Sequence, residues 1–208
     1  MRPKRKRTKN REDRAVRRHL RSHPQRALGD SARRAAAEGL DKVVFIPAGN
    51  PPHKADHAQA PFLDRYRMVQ LACEQDTRFE ASRLEDPARL EGRRSYSYDT
   101  IRAFRKTLQP EDELFFLLGE DAFADLGIWY RLEDVAKMVE FLVVSRPEGG
   151  GERAPKLPGL RARWVRGVQH PASSTEIRRR ASTGEPLDDL VPRNVATYIT
   201  EHGLYVRP

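Results

Sequence analysis

The sequence predicts an α/β fold in which a doubly wound parallel sheet carries helices on both faces. Two observations support this prediction. From Asp41 onward, short runs of β-branched and aromatic residues alternate with amphipathic stretches, which is typical of a parallel sheet covered by helices. The apolar runs 114–118 and 141–144 are nearly continuous, as expected for strands that are buried on both faces.

Five strands are expected in this part of the chain, each bounded by polar or turn-forming residues. They are residues 43–47, 78–82, 113–118, 140–145 and 163–165. The stretch 147–158, which precedes the last strand, is rich in Gly and Pro and predicts a surface loop. The sequence has no internal repeat, so we expect one sheet.

Apolar residues at helical spacing predict two helices between these strands. The first contains Leu63, Tyr66, Val69 and Cys73, and the second contains Ile101, Phe104 and Leu108. Two further helices are expected after the last strand, at residues 174–182 and 193–201. Gly203 is placed to end the second of them, because glycine readily adopts the left-handed conformation that follows many helices.

Residues 1–38 differ from the rest of the chain in composition. They hold 14 of the 39 Lys and Arg residues but only 4 of the 30 Asp and Glu residues, so they carry +10 and the remainder carries −1. They have few large apolar residues and no strand pattern. We therefore expect one domain over residues 39–208, preceded by a basic segment, 1–38, that is disordered or translated out of frame. The first strand of the sheet would then be missing or non-native.

The formal net charge of +9 would by itself favour a nucleic acid or an acidic membrane surface as partner. Because the excess lies in residues 1–38, we expect no membrane and no specific nucleic-acid partner. The single cysteine, Cys73, excludes a disulfide framework and a cysteine-rich metal site. No apolar run approaches the roughly 20 residues of a membrane span, and the basic N-terminus lacks the apolar stretch of a signal peptide, so a cytoplasmic location is expected.

Two polar segments follow predicted strands, and open α/β sheets bind ligands at the carboxyl ends of their strands. The segment Gly49-Asn50-Pro51-Pro52-His53-Lys54 carries an imidazole and an ammonium group that could hold a phosphate or carboxylate. A strand-to-helix turn with solvated charges explains it as well. The segment 95–100 begins a helix, where Ser97 could cap and free N–H groups could face an anion. Ordinary capping is the alternative there.

Four further residues follow the third and fourth predicted strands. Asp121 could accept ribose hydroxyls, although a helix cap would also explain it. Trp129 and Tyr130 offer aromatic faces suited to a pyridine or purine ring, and either could instead belong to the core. Arg146 precedes Pro147 and, taken alone, is explained as a surface charge.

The segment Ser173-Ser174-Thr175-Glu176-Ile177-Arg178 has the sharpest local signal. Ser173 and Glu176 have the spacing of a capping box, which predicts a helix start. The hydroxyls, the free N–H groups and the Arg178 guanidinium would converge on one face, as binding of a polyphosphate requires. The structural and functional interpretations are compatible.

Together these segments resemble the bacterial nicotinate-mononucleotide adenylyltransferases, a family of the nucleotidyltransferase superfamily. Similar chains carry, in this order, a diproline-His-Lys/Arg loop, a Ser-Tyr-Thr element, a Gly-x-Asp strand end, a Trp-Tyr pair, an Arg-Pro pair and a Ser-Ser-Thr-x-Ile-Arg helix start. All six elements are found here, over about four fifths of the chain. The sequence departs from the family at Ser97, where Thr is usual, and the hydroxyl is retained.

The resemblance implies a Rossmann-like fold and a role for each matching residue. Trp129 would stack on the nicotinate ring, and the other residues would surround the two substrates. The residues carried over to the mononucleotide side are His53, Lys54, Tyr96, Ser97, Trp129 and Tyr130. Those carried over to the ATP side are Asp121, Arg146, Ser174, Thr175 and Arg178.

The implied reaction is adenylyl transfer from ATP to nicotinate mononucleotide, which gives deamido-NAD and pyrophosphate in NAD biosynthesis. The mononucleotide phosphate would attack the α-phosphorus of ATP in line, with Mg²⁺ shielding charge and the protein supplying positioning rather than a covalent nucleophile. ATP and nicotinate mononucleotide are therefore the implied partners. No residue is assigned as a metal ligand.

The most specific motif of this family, an N-terminal G-G-x-F-x-P-x-H-x-G-H, is absent. In the family its glycines approach the phosphates and its two imidazoles stabilise the charged transition state. Residues 16–28, back-translated and read one nucleotide later, permit the unbroken run F-G-G-T-F-D-P-I-H-N-G-H-L. We interpret this segment as an out-of-frame translation, with the frame restored before Leu40, and expect little or no activity from the chain as written. A genuine basic extension is the alternative, and no catalytic residue is assigned.

Other functions stay open at this point. A phosphopantetheine-type adenylyltransferase would share the fold, although the pair formed by Trp129 and Tyr130 favours a flat pyridine ring. A basic nucleic-acid-binding protein that uses residues 1–38 as an arm predicts strongly salt-dependent binding. A noncatalytic relative retained for binding and a homo-oligomer are also compatible with the sequence.

Overall fold

The computed structural model describes residues 15–20, 39–51, 60–145, 157–166 and 174–206 of the 208 residues. In this part of the chain, no helix has the length and apolar character needed to cross a membrane. The strands are β1 (Ala15–Leu20), β2 (Lys42–Pro47), β3 (Phe79–Ala81), β4 (Leu114–Gly119), β5 (Glu140–Ser145) and β6 (Ala162–Arg166). The helices are α1 (Phe62–Cys73), α2 (Pro87–Leu90), α3 (Ser97–Arg105), α4 (Glu120–Ala124), α5 (Leu132–Met138), α6 (Ser174–Thr183) and α7 (Arg193–Glu201). A 3₁₀ turn, Asp125–Ile128, follows α4.

The strands form one parallel sheet in the order β3-β2-β1-β4-β5-β6. From β1 the chain runs outward through β2 and β3, then returns to β4 on the other side of β1 and runs outward again. The order therefore reverses between β1 and β4, which is the place where doubly wound sheets open a ligand crevice beyond their carboxyl ends.

Alternate side chains of β4 show that both faces of the sheet are covered. Phe115 and Leu117 belong to a buried cluster that includes Val69 of α1. Phe116 belongs to a second cluster, which includes Ile101 of α3. Because successive strand residues point to opposite faces, the two clusters lie on opposite sides of the sheet. The predicted doubly wound α/β fold is confirmed.

A third cluster lies outside the first layer of helices. Met68 and Leu71 of α1 pack there with Ile177 of α6 and with Val195 and Ile199 of α7. Helix α1 is thus buried on two sides, against the sheet through Val69 and against α6 and α7 through its opposite face. Helix α6 is therefore attached to the domain through α1 and α7.

The expectation that the first strand is missing is wrong. Ala15–Leu20 lies at the centre of the sheet, where Val16 stands opposite Val43 of β2 and opposite Phe115 of β4. A parallel ladder is made by backbone groups, which Arg and His supply as well as Val does, and an empty position would leave the facing groups of β2 and β4 unpaired. The hydrophobic pattern missed this strand for that reason. That its sequence is non-native stays a prediction.

The one cysteine gives a test of the core. Cys73 packs against the cluster between α1 and the sheet, and burial, with smaller contributions from Glu80 and Glu74, raises the pKa of its thiol to about 12. Because the thiolate is the reactive form, we expect iodoacetamide to modify the native protein slowly at pH 8 and the guanidinium-unfolded protein quickly. Fast stoichiometric labelling of the native chain would contradict this packing.

Candidate active site

The segments singled out in the sequence lie beyond the carboxyl ends of parallel strands. Gly49 and Asn50 follow β2, Asp121 follows β4, and α6 follows β6. Because the strands are parallel, their carboxyl ends lie along one edge of the sheet. His53, Lys54, Arg146 and Ser173 lie outside the described residues.

Asn50 lies in the loop that follows β2, residues 48–51, which we call the β2 loop, and it bonds the segment before α3. Its backbone N–H donates to Ser95 Oγ at 3.1 Å, and the Ser95 N–H donates to the Asn50 carbonyl oxygen at 2.8 Å. Its side-chain amide donates to the carbonyl oxygens of Gly92 and Arg93 at 3.3 and 3.2 Å. Ser95 is 3% exposed, so this contact is part of the packed structure. The β2 loop and the segment before α3 are therefore packed against each other at this edge of the sheet.

Arg65 of α1 connects the β2 loop to the segment that precedes α1. Its guanidinium donates to the Ala48 carbonyl oxygen at 2.7 Å through Nη1 and to the Ala60 carbonyl oxygen at 3.0 Å through Nε. Burial lowers the pKa of Arg65, and the nearby Tyr205 and Glu85 oppose this shift. Sequence inspection did not single out Arg65. The available signal was an Arg placed one position before Tyr66 in an otherwise apolar helical stripe.

Helix α3 begins one residue earlier than capping by Ser97 would require. Tyr96 is the N-cap, its side chain makes no capping hydrogen bond, and Ser97 is the first helical residue. The prediction that Ser97 caps the helix is therefore wrong, because the serine that precedes Tyr96 bonds the β2 loop and fixes the chain at that point. An anion facing this helix end stays a prediction.

Three aromatic residues line the region beside α3. The Tyr96 and Tyr130 rings lie 4.7 Å apart between centroids, and Tyr130 is 51% exposed. Trp129 is half-buried and meets the core edge-on, with its ring centroid 5.4 Å from that of Phe116 and 6.5 Å from that of Phe141. The structure thus brings Tyr96 and Tyr130 together and anchors the Trp129 indole on the core next to Tyr130.

Arg131 supports this aromatic group, and the sequence did not indicate it. The residue has a left-handed backbone, with φ of 56°, which is uncommon for a residue other than Gly. Its guanidinium carbon lies 4.2 Å from the centroid of the Tyr98 ring, and its Nε donates to Asp134 at 2.7 Å. The residue directly after Tyr130 is therefore held at both its backbone and its side chain.

Asp121 is exposed in the first turn of α4, directly beyond β4. Ser174 and Thr175 are the first residues of α6, and Arg178 Nη2 lies 3.4 Å from Thr175 Oγ1. The Arg178 guanidinium and the Thr175 hydroxyl therefore lie side by side near the start of α6, and binding of a polyphosphate there stays a prediction. The predicted capping box involves Ser173 and stays a prediction.

Ion pairs hold the rest of α6 in place. Glu176 accepts hydrogen bonds from Arg179 and Arg180, and Glu185 accepts from Arg179 and from Thr183. The Arg179 hydrogen bond is the main cause that lowers the pKa of each carboxyl, to about 2 for Glu176 and about 2 for Glu185.

The lowered pKa values of Glu176 and Glu185 predict how these ion pairs respond to acid. A lowered folded-state pKa means that the stabilising pairs are present above the ordinary pKa of Glu, 4.5, and are lost as the pH falls through about 2. We expect NMR titration of the Glu176 and Glu185 carboxyl carbons to have midpoints well below 4.5. Arg179→Gln should raise both midpoints, whereas Arg163→Gln, which affects the pair with Glu140, should leave them unchanged. Midpoints near 4.5 in the unsubstituted protein would contradict the network.

Comparisons with known proteins identify the family. The cytidylyltransferase-like family model matches residues 29–180. A protein of Solibacter usitatus named "Probable nicotinate-nucleotide adenylyltransferase" is 46% identical over 176 residues, which cover 84% of this chain and 89% of the relative. The chain belongs to the nicotinate-nucleotide adenylyltransferases. A Thermus thermophilus relative of the same name is 43% identical over 168 residues, covering 80% of this chain and 84% of its own length.

Solved structures support the fold of this nicotinate-nucleotide adenylyltransferase. The Plasmodium falciparum nicotinic acid mononucleotide adenylyltransferase complexed with NaAD matches with a TM-score of 0.70 at 14% identity, over 92% of this chain and 97% of that one. A putative nicotinate-nucleotide adenylyltransferase from Vibrio parahaemolyticus matches with a TM-score of 0.57 at 12% identity, over 90% of this chain and 98% of that one. The Rossmann-like nucleotidyltransferase fold is thereby confirmed.

Proposed function

We propose that this domain is built to transfer the adenylyl group of ATP to nicotinate mononucleotide, giving deamido-NAD and pyrophosphate in NAD biosynthesis. The observation that carries the proposal is the carboxyl-end edge of one parallel sheet, along which the aromatic group at Tyr96 and Tyr130 follows β3 and β4 and the polar start of α6 follows β6. Family membership adds the substrate class. Since ATP and pyridine nucleotides are intracellular metabolites, the proposal includes a cytoplasmic location.

The residues divide between the two substrates. On the mononucleotide side, the Trp129 indole receives the nicotinate ring beside Tyr96, Ser97 and Tyr130. The resemblance to the family assigns His53 and Lys54 to the same substrate. On the ATP side, Ser174, Thr175 and Arg178 bind phosphates, while Asp121 and Arg146 contact the nucleoside portion. An in-line attack by one phosphate on another needs no activated side chain, so the protein supplies position and electrostatic stabilisation.

Adenylyl transfer from ATP uses a divalent metal ion, and Mg²⁺ is our proposal. Mg²⁺ binds hard oxygen ligands, and the ATP phosphates provide them. The described side chains at the start of α6, Ser174, Thr175 and Arg178, are hydroxyls and a guanidinium, which suit phosphate oxygens rather than a cation. Mg²⁺ bound to ATP would reduce the charge that Arg178 and the helix start must stabilise.

The chain as written is impaired, because residues 16–28 stand in place of the motif that carries the glycine loop and two imidazoles. Two observations support an out-of-frame origin. The shifted reading is unbroken over this stretch, and the family match begins at residue 29, directly after it. In the chain as written, the central strand contains Arg17, Arg18 and His19 at the positions where the shifted reading has Gly, Gly and Thr.

Binding of nicotinate mononucleotide tests the proposed function without requiring catalysis. The chain has two tryptophans. Trp164 lies on the edge strand β6 and packs against Phe123, whereas Trp129 packs against Phe116 and Phe141. We expect saturable fluorescence quenching by nicotinate mononucleotide that is retained in Trp164→Phe and lost in Trp129→Phe. Phosphopantetheine should cause no quenching. Absence of saturable binding, or equal quenching by phosphopantetheine, would contradict the proposal.

A further inference from the structure

A buried carboxylate lies beneath the mononucleotide side of the edge. Glu85 follows β3 and is 1% exposed. Its Oε2 accepts the Gly49 N–H at 3.3 Å, and its Oε1 accepts the Thr100 hydroxyl at 2.7 Å. Burying a carboxylate costs free energy unless it is hydrogen-bonded. The bonds from Gly49 and Thr100 therefore allow Glu85 to occupy this buried position. Glu85 thus connects the β2 loop to the first turn of α3.

The backbone of the β2 loop also touches the Glu85 segment directly. A Cβ atom at Gly49 would lie 1.8 Å from the Glu85 carbonyl oxygen, so only glycine permits this approach. Beside it, Asn50 and Ser95 exchange hydrogen bonds through the Asn50 N–H and the Ser95 N–H. The Glu85 carboxylate therefore sits within a close contact between three chain segments.

The connection continues to the aromatic group. Thr100 Oγ1 lies 2.9 Å from the Tyr96 carbonyl oxygen, and the Tyr96 ring lies 4.7 Å from that of Tyr130. A shift of Thr100 would therefore move Tyr96, the N-cap of α3, and with it the ring that packs on Tyr130. Glu85 itself is buried, and we assign it no contact with substrate.

We infer that Glu85 is a positioning residue for the mononucleotide side, holding the β2 loop and the Tyr96 end of α3 at the separation that the pyridine mononucleotide requires. This inference rests on the proposed function and assigns Glu85 no role in binding ATP. A merely structural residue would change stability when substituted. A positioning residue changes mononucleotide affinity beyond any change in stability.

Three substitutions separate these roles. Glu85→Ala removes both hydrogen bonds. Glu85→Gln can retain both, since its carbonyl oxygen can accept the Gly49 N–H while its amide donates to Thr100, whose hydroxyl then donates to the Tyr96 carbonyl oxygen. Asp86→Ala is the matched control, because Asp86 is 5% exposed but bonds only locally, to the Ala88 N–H and to Arg83.

The experiment measures calorimetric affinity for nicotinate mononucleotide and hydrogen exchange of the Gly49 and Asn50 amides in the ligand-free chain. Glu85→Ala should weaken binding about 10-fold and speed exchange of the Gly49 amide, because it leaves the Gly49 N–H and the Thr100 hydroxyl without their buried partner. Glu85→Gln should stay within about threefold of the unsubstituted protein in binding. Asp86→Ala should lower the melting temperature without either change.

Thr100→Val keeps the inference testable should Glu85→Ala fail to fold, because it removes one hydrogen bond at nearly constant shape, and it should weaken binding by about threefold or more. Unchanged affinity in Glu85→Ala or, failing that variant, in Thr100→Val would overturn the inference, as would an equal loss in Asp86→Ala. If the unsubstituted chain binds no nicotinate mononucleotide, the proposed function fails and the inference fails with it. Normal binding by the unsubstituted chain together with normal binding by Glu85→Ala rejects the inference alone.

Discussion

Replacing residues 16–28 with Phe-Gly-Gly-Thr-Phe-Asp-Pro-Ile-His-Asn-Gly-His-Leu is expected to raise adenylyltransferase activity by about 10⁴-fold over the chain as written. The replacement restores a glycine loop that lets the backbone approach the phosphates and two imidazoles that stabilise the developing charge. Loss of a single group of this kind costs about 10²–10³-fold in other enzymes, so loss of the loop and both imidazoles costs more. The measurement is formation of deamido-NAD from nicotinate mononucleotide, ATP and Mg²⁺.

A matched control carries the same replacement with both motif histidines changed to alanine. It should fold like the repaired chain and stay inactive, which separates restored catalysis from restored folding. Near-normal turnover by the chain as written, or no gain on repair, would contradict the account. Resequencing the DNA upstream of Leu40 is an independent check, since codons incompatible with the shifted motif exclude a frameshift.

Gly49→Ala is expected to destabilise the protein by about 3 kcal/mol, near the upper end of typical overpacking costs. The new Cβ would lie 1.8 Å from the Glu85 carbonyl oxygen and 2.8 Å from Leu90 Cδ1. A side chain can rotate away, but a backbone carbonyl cannot without moving its segment. The shift would also break the hydrogen bonds of Gly49 to Glu85 and of Asn50 to Ser95. Urea unfolding gives the free-energy change.

Gly119→Ala is the control for this prediction, because Gly119 also ends a strand and a Cβ there meets nothing within 4 Å. Its free energy of unfolding should lie within about 0.5 kcal/mol of the unsubstituted value. If Gly49→Ala is equally neutral, the close approach of the β2 loop to the Glu85 segment is not present in the molecule.

The sequence predicted the elements that bury continuous apolar runs. Residues 140–145 and 193–201 match β5 and α7 at both ends, and the other expected strands agree with the structure to within one residue at each end. The helices that the sequence did not predict share one cause. Helices α2, α4 and α5 have four to seven residues, which is too short for a helical period to be recognised. Leu108 continues the apolar spacing of α3 but lies beyond its last residue, Arg105.

The sequence predicted that the singled-out segments follow parallel strands, whose carboxyl ends lie at one edge of the sheet, and the described segments do so. That they form one substrate site stays a prediction. The side chains that hold these segments in place were not predicted from the sequence. Arg65 bonds backbone carbonyl oxygens, Glu85 bonds a residue 36 positions away, and Arg131 is held by a ring contact and a left-handed backbone. A charged residue looks like an ordinary surface position in a sequence, because contacts such as these depend on partners that only the folded chain supplies.

The central claim is that a pyridine ring and a chain of phosphates are bound along one edge of this sheet. A crystal structure of the repaired chain with deamido-NAD tests it most directly, because that product spans both halves of the site. We expect the pyridine ring against Trp129 and the pyrophosphate group toward the start of α6 at Ser174 and Arg178. A ligand bound elsewhere, or Trp129 and Arg178 on surfaces with no shared cleft, would contradict the account.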